Sequence, residues 1–391
     1  MDIKNRHIAF ACCYEAPYGG NFISMLTALG IILQERYGCK VHFIFPQQTP
    51  KEWLEKLQEK FCVGYTCKPY KKSEKDIYQL LYKWRIDLIH THFENYDKPV
   101  AKAIKKGNLP IKMIWHLHDY MSLDKTGLSL PHIRRILSNQ KFWNHYGRWG
   151  RNAYYIGVSA EVTNFATHYR NHRFSYPKAL SNKDLGRTCF PKAKVVINGI
   201  DTSRLRGRET YQFPSYQTTF LSFGGEAVSK GISCILDAAY ILEKRGLDFE
   251  IRITRGYTVD NLFASRFSRG LPSWLRIVEQ TNNIATLFDE CHCYISASLR
   301  ETMSMAIAEA SIYGLPVIQS DIPGTWWNSN NPSTFLFHVN DAEELAAQME
   351  NVINADKSDL WEKVQITSKN NQSLLSMQTW IDRIVNIYQT V

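Results

Sequence analysis

Residues 292–320 read HCYISASLRETMSMAIAEASIYGLPVIQS, and this stretch decides the fold class. It begins with HCYISAS at 292–298, a short apolar run typical of a buried strand. A helical pattern follows at about 303–313 and stops at the Gly-Leu-Pro run of 314–316. A second strand, PVIQS at 316–320, comes directly after it. Strand, helix and strand in this order indicate two parallel strands joined by a helix on one face of a sheet.

The same alternation runs through the first half of the chain. The predicted strands are HIAFACC at 7–13, KVHFIF at 40–45, DLIHTH at 87–92 and IKMIWHLH at 111–118. The predicted helices are 21–38, 49–61, 76–85 and 98–107. Repeated units of this kind predict a parallel sheet with helices on both faces.

The pattern restarts after a polar, proline-bearing stretch near 201–216. The further predicted strands are TTFLSFG at 218–224, FEIRIT at 249–254 and LRIVE at 275–279, and the further helices are 230–246, 341–354 and 378–391. At 391 residues the chain is about two to three times the commonest domain size. We therefore expect two doubly wound α/β domains, with ligands at the carboxyl ends of the strands.

Charge divides the chain unevenly. Residues 1–200 carry 31 basic and 15 acidic side chains, whereas the remainder carries 16 and 22. The chain has a net charge of +10, and its basic surplus lies entirely in residues 1–200, because the remainder is net negative. A basic half fits an anionic membrane surface, a phosphorylated ligand or nucleic acid, and it also fits a plain solvated face.

Targeting segments and metal motifs are not evident in the sequence. We find no apolar run of about 18 residues and no secretory signal, so we expect no transmembrane helix. The nine cysteines include no C-x2-C pair, which argues against zinc, and we predict no metal site. Unpaired cysteines favour a reducing cytoplasm.

Two glutamates mark the predicted 303–313 helix. Glu309 stands among apolar residues, where a carboxylate is costly to bury unless something donates to it; the two vicinal hydroxyls of a ribose suit it. Glu301 precedes the helix, and the amides of residues 302–304 would form an anion site at the helix N-terminus. The alternative interpretation is one capping glutamate and one glutamate at the edge of the core.

The E-x7-E spacing before a small-residue helix and G-x-P-V-I resembles the retaining glycosyltransferases of family 4, which have the two-Rossmann GT-B fold. Other landmarks occur in that family's order over nearly the whole chain. They are Gly19-Gly20, DLIHTH (87–92), HLHD (116–119), VS (158–159), VVINGID (195–201), Lys230-Gly231 and the terminal W-x7-Y. Each motif alone is weak, and it is their shared order that carries the resemblance.

The resemblance implies a domain plan. Two Rossmann-like domains would face each other across a cleft. Residues 1–205, joined by the C-terminal helix at about 376–391, would form the acceptor-side domain. Residues 206–375 would bind the nucleotide-sugar donor.

The resemblance also implies roles for individual residues. Glu301 would contact the donor sugar hydroxyls and Glu309 the nucleotide ribose. Lys230 would neutralise the diphosphate leaving group without a metal, because a fixed ammonium stabilises developing negative charge. His118 would hydrogen-bond the donor sugar. The remaining predicted donor-site residues are Thr302, Met303, Ser304, Gly224 and Gly225, and Gly19 and Gly20 would let the backbone approach phosphates or acceptor.

One position departs from the family's pattern. Gly225 stands where the family usually places an arginine on the diphosphate, and Glu226 adds a negative charge beside it. Loss of a charge-assisted phosphate contact is costly unless something replaces it. Arg255, just after a predicted strand, and Arg300, beside Glu301, are the candidate replacements.

The basic surplus is concentrated in 101–200, with 17 basic and 4 acidic side chains. Arginine and lysine are mixed with aromatic residues in 132–155 and 168–187. We favour a glycan or lipid-diphosphate-linked acceptor at an anionic membrane surface over a solvated face, and we expect no nucleic-acid partner.

The sequence thus predicts a metal-independent retaining hexosyltransferase. Its co-substrate would be a nucleoside-diphosphate sugar, with UDP-sugar the expected donor and no other cofactor. The expected setting is surface polysaccharide (capsule or exopolysaccharide) synthesis in the cytoplasm, on the inner face of the cell membrane. The alternatives are a GT-B nucleotide-sugar epimerase and a non-catalytic glycan- or nucleotide-binding partner of another transferase.

Overall fold

The computed structural model describes residues 2–47, 51–67, 72–118, 148–159, 162, 194–205, 207, 217–256 and 258–391. The described strands are β1 (His7–Cys12), β2 (Lys40–Pro46), β3 (Cys62–Thr66), β4 (Leu88–His92), β5 (Lys112–Leu117), β6 (Tyr154–Gly157), β7 (Lys194–Val195), β8 (Thr218–Ser222), β9 (Phe249–Thr254), β10 (Leu275–Val278), β11 (Cys293–Ser296), β12 (Val317–Ser320) and β13 (Thr334–Phe337).

The described α-helices alternate with these strands. They are α1 (Gly20–Tyr37), α2 (Glu52–Gln58), α3 (Glu74–Lys83), α4 (Glu94–Gly107), α5 (Ile232–Lys244), α6 (Val259–Arg266), α7 (Ile284–Asp289), α8 (Met305–Tyr313), α9 (Ala342–Ile353), α10 (Lys357–Leu374) and α11 (Met377–Thr390). Two short 3-10 helices, Thr202–Arg204 and Pro323–Asn328, complete the described elements.

The chain divides into two compact units. The N-terminal unit is Met1–Gly199 with Gln378–Val391, and the C-terminal unit is Ile200–Met377. The division falls after Gly199 and Met377, where the sequence analysis placed the boundaries at 205 and about 376. Helix α11 therefore belongs, except for its first residue, to the N-terminal unit.

Each unit has its own parallel sheet. In the described part of the N-terminal unit the strand order is β3-β2-β1-β4-β5-β6-β7, and in the C-terminal unit it is β10-β9-β8-β11-β12-β13. Every described strand pair is parallel. In both units the order reverses beside the first strand, β1 or β8, and such switch points form ligand crevices.

Apolar spacing explains why these segments fold as they do. Helix α1 buries Met25, Leu26, Leu29 and Leu33 on one face and ends at Gly38, whose φ of 66° suits glycine. In the C-terminal unit, α5 and strands β8, β9 and β11 share one buried apolar cluster. The central strands are buried along most of their length, as a sheet covered on both faces requires.

Several elements are not anticipated by the sequence analysis. Strands β3 and β13 lie at sheet edges and β6 is short, and the two edge strands bury only some of their residues. Helix α10 is polar and buries only about one residue per turn: Leu360, Val364, Thr367 and Asn371. Helices α6 and α7 are short. Sparse burial leaves a weak hydrophobic pattern, so these elements give little signal.

Several predicted helix starts differ from the structure by two to four residues; α2, for example, begins at Glu52 rather than 49. Helix α4 begins at Glu94 rather than at 98, because Glu94 and Asp97 supply an acidic first turn and Pro99 falls inside the helix. Helix α8 begins at Met305 rather than 303, with Ser304 at its N-cap.

Backbone contact at Gly224 gives a test of the C-terminal unit. A Cβ on Gly224 would overlap the carbonyl oxygen of Thr254 and press on Val259. We expect Gly224→Ala to lower the free energy of unfolding by about 3 kcal/mol, because backbone cannot give way as a side chain can. Gly246→Ala is the matched control: its φ is 72° but the space is open, so about 1 kcal/mol is expected. Equal losses of unfolding free energy in the two variants, measured by urea denaturation, would contradict this packing.

Candidate functional site

A glycine-rich turn follows strand β8. Gly231 has a φ of 64°, and a Cβ there would overlap the carbonyl oxygen of Ala297. The backbone N–H of Leu299 donates to the carbonyl of Ser229 at 2.8 Å. The turn after β8 is therefore held in backbone contact with the segment after β11. This contact places Lys230 beside Glu301.

Lys230 and Glu301 form an ion pair. The Nζ of Lys230 lies 2.5 Å from the Oε1 of Glu301, and the hydroxyl of Ser298 donates to the same oxygen at 2.8 Å. The Glu301 side chain is 13% exposed and that of Lys230 is 35% exposed. An ammonium has three N–H donors, so the pair uses only part of the capacity of Lys230.

The 3-10 helix Pro323–Asn328 packs against the same place. A Cβ on Gly324 would overlap the carbonyl oxygen of Glu301, so glycine alone permits this approach. The indole N–H of Trp326 donates to Asp321 at 2.6 Å. The segments after β8, β11 and β12 thus converge around one ion pair at the carboxyl ends of three neighbouring strands.

Glu309 lies inside α8 with a side chain that is 12% exposed. Burial raises the pKa of Glu309 from 4.5 to about 7, and the nearby positive charge of Arg204 opposes this rise. The Nη1 of Arg204 lies 3.5 Å from the Oε1 of Glu309. The sequence analysis missed Arg204; its position shortly after the VVINGID landmark is the signal that could have found it.

The predicted amide site changes with the start of α8. Because the helix begins at Met305, Thr302, Met303 and Ser304 precede the first turn instead of forming it. Met303 and Ser304 are buried, and Thr302 is partly exposed. The backbone N–H of Ala308 donates to the carbonyl of Ser304, which closes the first helical turn.

The position of the missing arginine is a strained turn. Gly225 has a φ of 46°, where a side chain is disfavoured. Glu226 accepts hydrogen bonds from the backbone N–H of Ser229 at 2.7 Å and of Val228 at 3.4 Å, which lower the pKa of Glu226. Its charge therefore stabilises the turn that carries Lys230.

The two candidate replacements differ. Arg255 pairs with Glu279 at 2.8 Å and with Asp260, and both carboxylates raise the pKa of its guanidinium. These contacts direct Arg255 towards the α6 side. Arg300 is partly exposed and directly precedes Glu301 in the chain, and its contact with the diphosphate stays a prediction.

In the N-terminal unit, Gly19 and Gly20 begin α1. Gly20 has a φ of 55°, and a Cβ on Gly19 would lie 3.1 Å from the Cβ of Trp53. Phe22 follows on α1, and its ring stands edge-on to that of His118 with centroids 5.7 Å apart. The structure thus brings the glycine turn and His118 to the same end of the N-terminal sheet.

His118 directly follows β5 and is buried among rings. Its Nε2 lies 2.9 Å from the Nδ1 of His92, so a ligand would be contacted through Nδ1. Phe93, at the end of β4, contacts His118 with centroids 4.8 Å apart and has a φ of 67°. Burial lowers the pKa of His118 to about 3, so the ring is neutral at physiological pH.

Three further buried histidines surround His118. They are His90, His92 and His116, and one ring nitrogen of each lies within 4.8 Å of the others. The sequence analysis looked for metal ligands among the cysteines and did not consider this set. The signal was present as two H-x-H patterns, one in DLIHTH and one in HLHD.

Some predicted features lie on residues that the structure does not describe. Asp119 and most of the basic-aromatic residues of 132–155 and 168–187 lie outside the described residues. Within the described part of the chain, no helix combines the length and apolar content needed to cross a bilayer.

One segment of the C-terminal unit matches a known protein family. Residues 217–355 match the family described as "Glycosyl transferases group 1". This segment contains Lys230, Glu301 and Glu309. A search of curated protein sequences finds no significant match.

Solved structures resemble the whole chain. The Anabaena protein Alr3699/HepE, in complex with UDP and glucose, superposes with a TM-score of 0.73 at 14% identity, over 99% of this chain and 100% of that one. The chain has the GT-B fold. The predicted pair of doubly wound Rossmann-like domains is therefore confirmed.

Two enzymes named for other activities are also similar. Sucrose-phosphate synthase of Thermosynechococcus elongatus has a TM-score of 0.69 at 14% identity, covering 98% of each chain. The lipopolysaccharide outer core galactosyltransferase WaaB has a TM-score of 0.66 at 13% identity, covering 98% of this chain and 99% of that one. At such identities the similarity establishes the fold.

The raised pKa of Glu309 gives a pH-dependent stability. Between pH 4.5 and about 7 the folded state binds more protons than the unfolded state, so this group's contribution to stability falls as pH rises. We expect the free energy of unfolding of the wild type, relative to Glu309→Gln, to fall by about 3 kcal/mol across that window. Urea denaturation measures it. Glu362→Gln, on the exposed face of α10, is the control. If the difference in free energy of unfolding between the wild type and Glu309→Gln does not change with pH, the raised pKa of Glu309 is refuted.

Proposed function

We propose that this chain is a retaining glycosyltransferase that moves a hexose-type sugar from a nucleoside-diphosphate sugar, with UDP-sugar the preferred donor, to an acceptor hydroxyl. The observation that carries the proposal is the pairing of Lys230 with Glu301. Buried Glu309 lies on the helix that follows Glu301, and all three residues lie inside the segment that matches "Glycosyl transferases group 1". The UDP and glucose named for the Anabaena structure support the choice of donor.

The reaction breaks the bond between the anomeric carbon and the diphosphate and forms a bond from that carbon to the acceptor oxygen on the same face. The nucleoside diphosphate departs with the bonding electrons, and an oxygen of this leaving group takes up the proton of the acceptor hydroxyl. Negative charge grows on the leaving group, and Lys230 stabilises it without a metal ion. The carboxylate of Glu301 accepts hydrogen bonds from the sugar hydroxyls.

Glu309 suits the ribose because it is buried. A carboxylate with few donors around it gains most when two vicinal hydroxyls bring hydrogen bonds. Arg204, 3.5 Å from Glu309, keeps part of the carboxyl population ionised and ready to accept them. For His118, whose buried ring is neutral, the proposed role is a hydrogen bond to the donor sugar.

The acceptor belongs to the N-terminal unit in this proposal. The net surplus of basic side chains in residues 1–200 favours a glycan or lipid-diphosphate-linked acceptor at an anionic membrane face, in surface polysaccharide synthesis. The eight cysteines in the described part of the chain form no disulfide with one another, which fits the proposed setting in a reducing cytoplasm.

Slow hydrolysis of the donor tests the proposal without knowledge of the acceptor. A thermal-shift screen across nucleotide sugars first selects the donor that binds the full chain. We expect that donor to be hydrolysed slowly, and Lys230→Ala to reduce the rate about 10²–10³-fold, because one preorganised charge on the leaving group is lost. Glu301→Ala should abolish it.

The control for Lys230→Ala is Lys244→Ala, an exposed lysine at the other end of α5, which should keep the wild-type rate. A wild-type rate in Lys230→Ala or Glu301→Ala would overturn the site assignment. Epimerised free donor in place of hydrolysis or transfer would identify an epimerase.

One observation favours a second candidate, a non-catalytic partner that binds glycan or nucleotide. Gly225 offers no cation where a diphosphate-binding arginine is usual, and Arg255 is directed to two carboxylates. Donor binding without hydrolysis or transfer by the wild-type chain would select this alternative.

A further inference from the structure

Four histidines lie on one face of the N-terminal sheet. In the parallel pairing of β4 with β5, His92 lies beside His116. His90 precedes His92 by two residues and His118 follows His116 by two, so the alternation of a strand directs all four to the same face. His90, His92 and His116 are each at most 1% exposed. So dense a group of imidazoles in a sheet core calls for a physical reason.

Three hydrogen bonds connect these rings to each other and to α11. The Nδ1 of His90 lies 2.6 Å from the hydroxyl of Tyr388, and the Nδ1 of His92 lies 2.9 Å from the Nε2 of His118. The Nε2 of His90 lies 3.2 Å from the Nδ1 of His116.

Two ring nitrogens remain without a partner. The Nε2 atoms of His92 and His116 are buried and accept or donate no hydrogen bond among the residues that the structure describes. A buried polar atom without a partner is unfavourable, and a neutral imidazole nitrogen with an open lone pair is a metal ligand.

The spacing fits a small transition-metal ion. One nitrogen from each of His90, His92 and His116 lies within 4.8 Å of the others. Around a tetrahedral Zn²⁺ with Zn–N bonds of about 2.0–2.1 Å, ligand nitrogens stand about 3.4 Å apart. The Nε2 of His90 and the Nδ1 of His116 are hydrogen-bonded at 3.2 Å, and an ion bound by the Nε2 of His90 would replace that hydrogen bond.

We propose that His90, His92 and His116 form a buried site for one transition-metal ion of the Zn²⁺ class. Tyr388 accepts from the Nδ1–H of His90 and His118 accepts from the Nδ1–H of His92, which orients each ring and presents its Nε2 to the ion. The ion links β4 to β5 and, through Tyr388, to α11. It stabilises the N-terminal unit and fixes His118.

Metal content of the full, untagged chain tests the site without any assay of sugar transfer. We expect the chelator-stripped wild type to take up one Zn²⁺ per chain, measured by mass spectrometry of the metal and by calorimetric titration. Co²⁺ in its place should give the visible absorption of a tetrahedral ion. His92→Gln and His116→Gln should each lower the affinity for Zn²⁺ by at least 10²-fold.

His42→Gln is the matched control, because His42 is also buried, lacks a partner among the described residues and stacks on Trp84 outside the cluster. It should still bind one Zn²⁺. Tyr388→Phe should still bind one Zn²⁺, with about 10–100-fold weaker affinity. This variant tests the site if the histidine variants fail to fold. No stoichiometric uptake by the wild type, or unchanged affinity in both Tyr388→Phe and the histidine variants, would overturn the proposal.

Discussion

The ion pair between Lys230 and Glu301 is the interaction on which the C-terminal unit is arranged. It joins the turn after β8 to the segment after β11, two neighbouring strands of one parallel sheet. Backbone approaches that only glycine allows hold both sides in place: Gly231 against Ala297, and Gly324 against Glu301. Because the backbone is fixed on either side, the two charged groups meet with little freedom to move apart.

In the proposed function, this arrangement would let the site bind an anion in an acidic half of the chain. Glu226 accepts hydrogen bonds from the turn's own N–H groups, and Arg255 is held by Glu279 and Asp260. Lys230 stays about a third exposed although Glu301 neutralises its charge, so it remains available as a cation for the proposed anion. A bound diphosphate would compete with Glu301 for the ammonium, and the sugar hydroxyls would then donate to the carboxylate. The ion pair would therefore be the arrangement of the proposed donor site before the donor binds.

The two glutamates show how environment separates two identical side chains. Glu301 pairs with an ammonium at 2.5 Å, whereas Glu309 has a guanidinium at 3.5 Å and is surrounded by the apolar residues of α8. Burial then dominates at Glu309 and raises its pKa to about 7. Donors that arrive with a ligand would stabilise the carboxylate and lower this pKa.

How much the sequence predicted depended on burial. Central strands such as β1, β4 and β11 are buried along nearly their whole length, and their limits were predicted to within about two residues. The edge strands β3 and β13 and the polar helix α10 bury few side chains, and periodicity could not find them.

Site residues followed the same logic at a finer scale. Lys230 and Glu301 could be named from order and spacing, but their direct pairing depends on close backbone contacts that no motif encodes. The histidine cluster was visible as H-x-H in two strands, and only the pairing of β4 with β5 shows that the two patterns share a face.

Hydrogen–deuterium exchange of the full chain with and without UDP tests the central claim, that the ion pair marks the nucleotide site. The account predicts slower exchange at the amides of 224–231 and 301–309 when UDP is added, and loss of this protection in Lys230→Ala. Protection confined to other segments, or unchanged protection in Lys230→Ala, would contradict it.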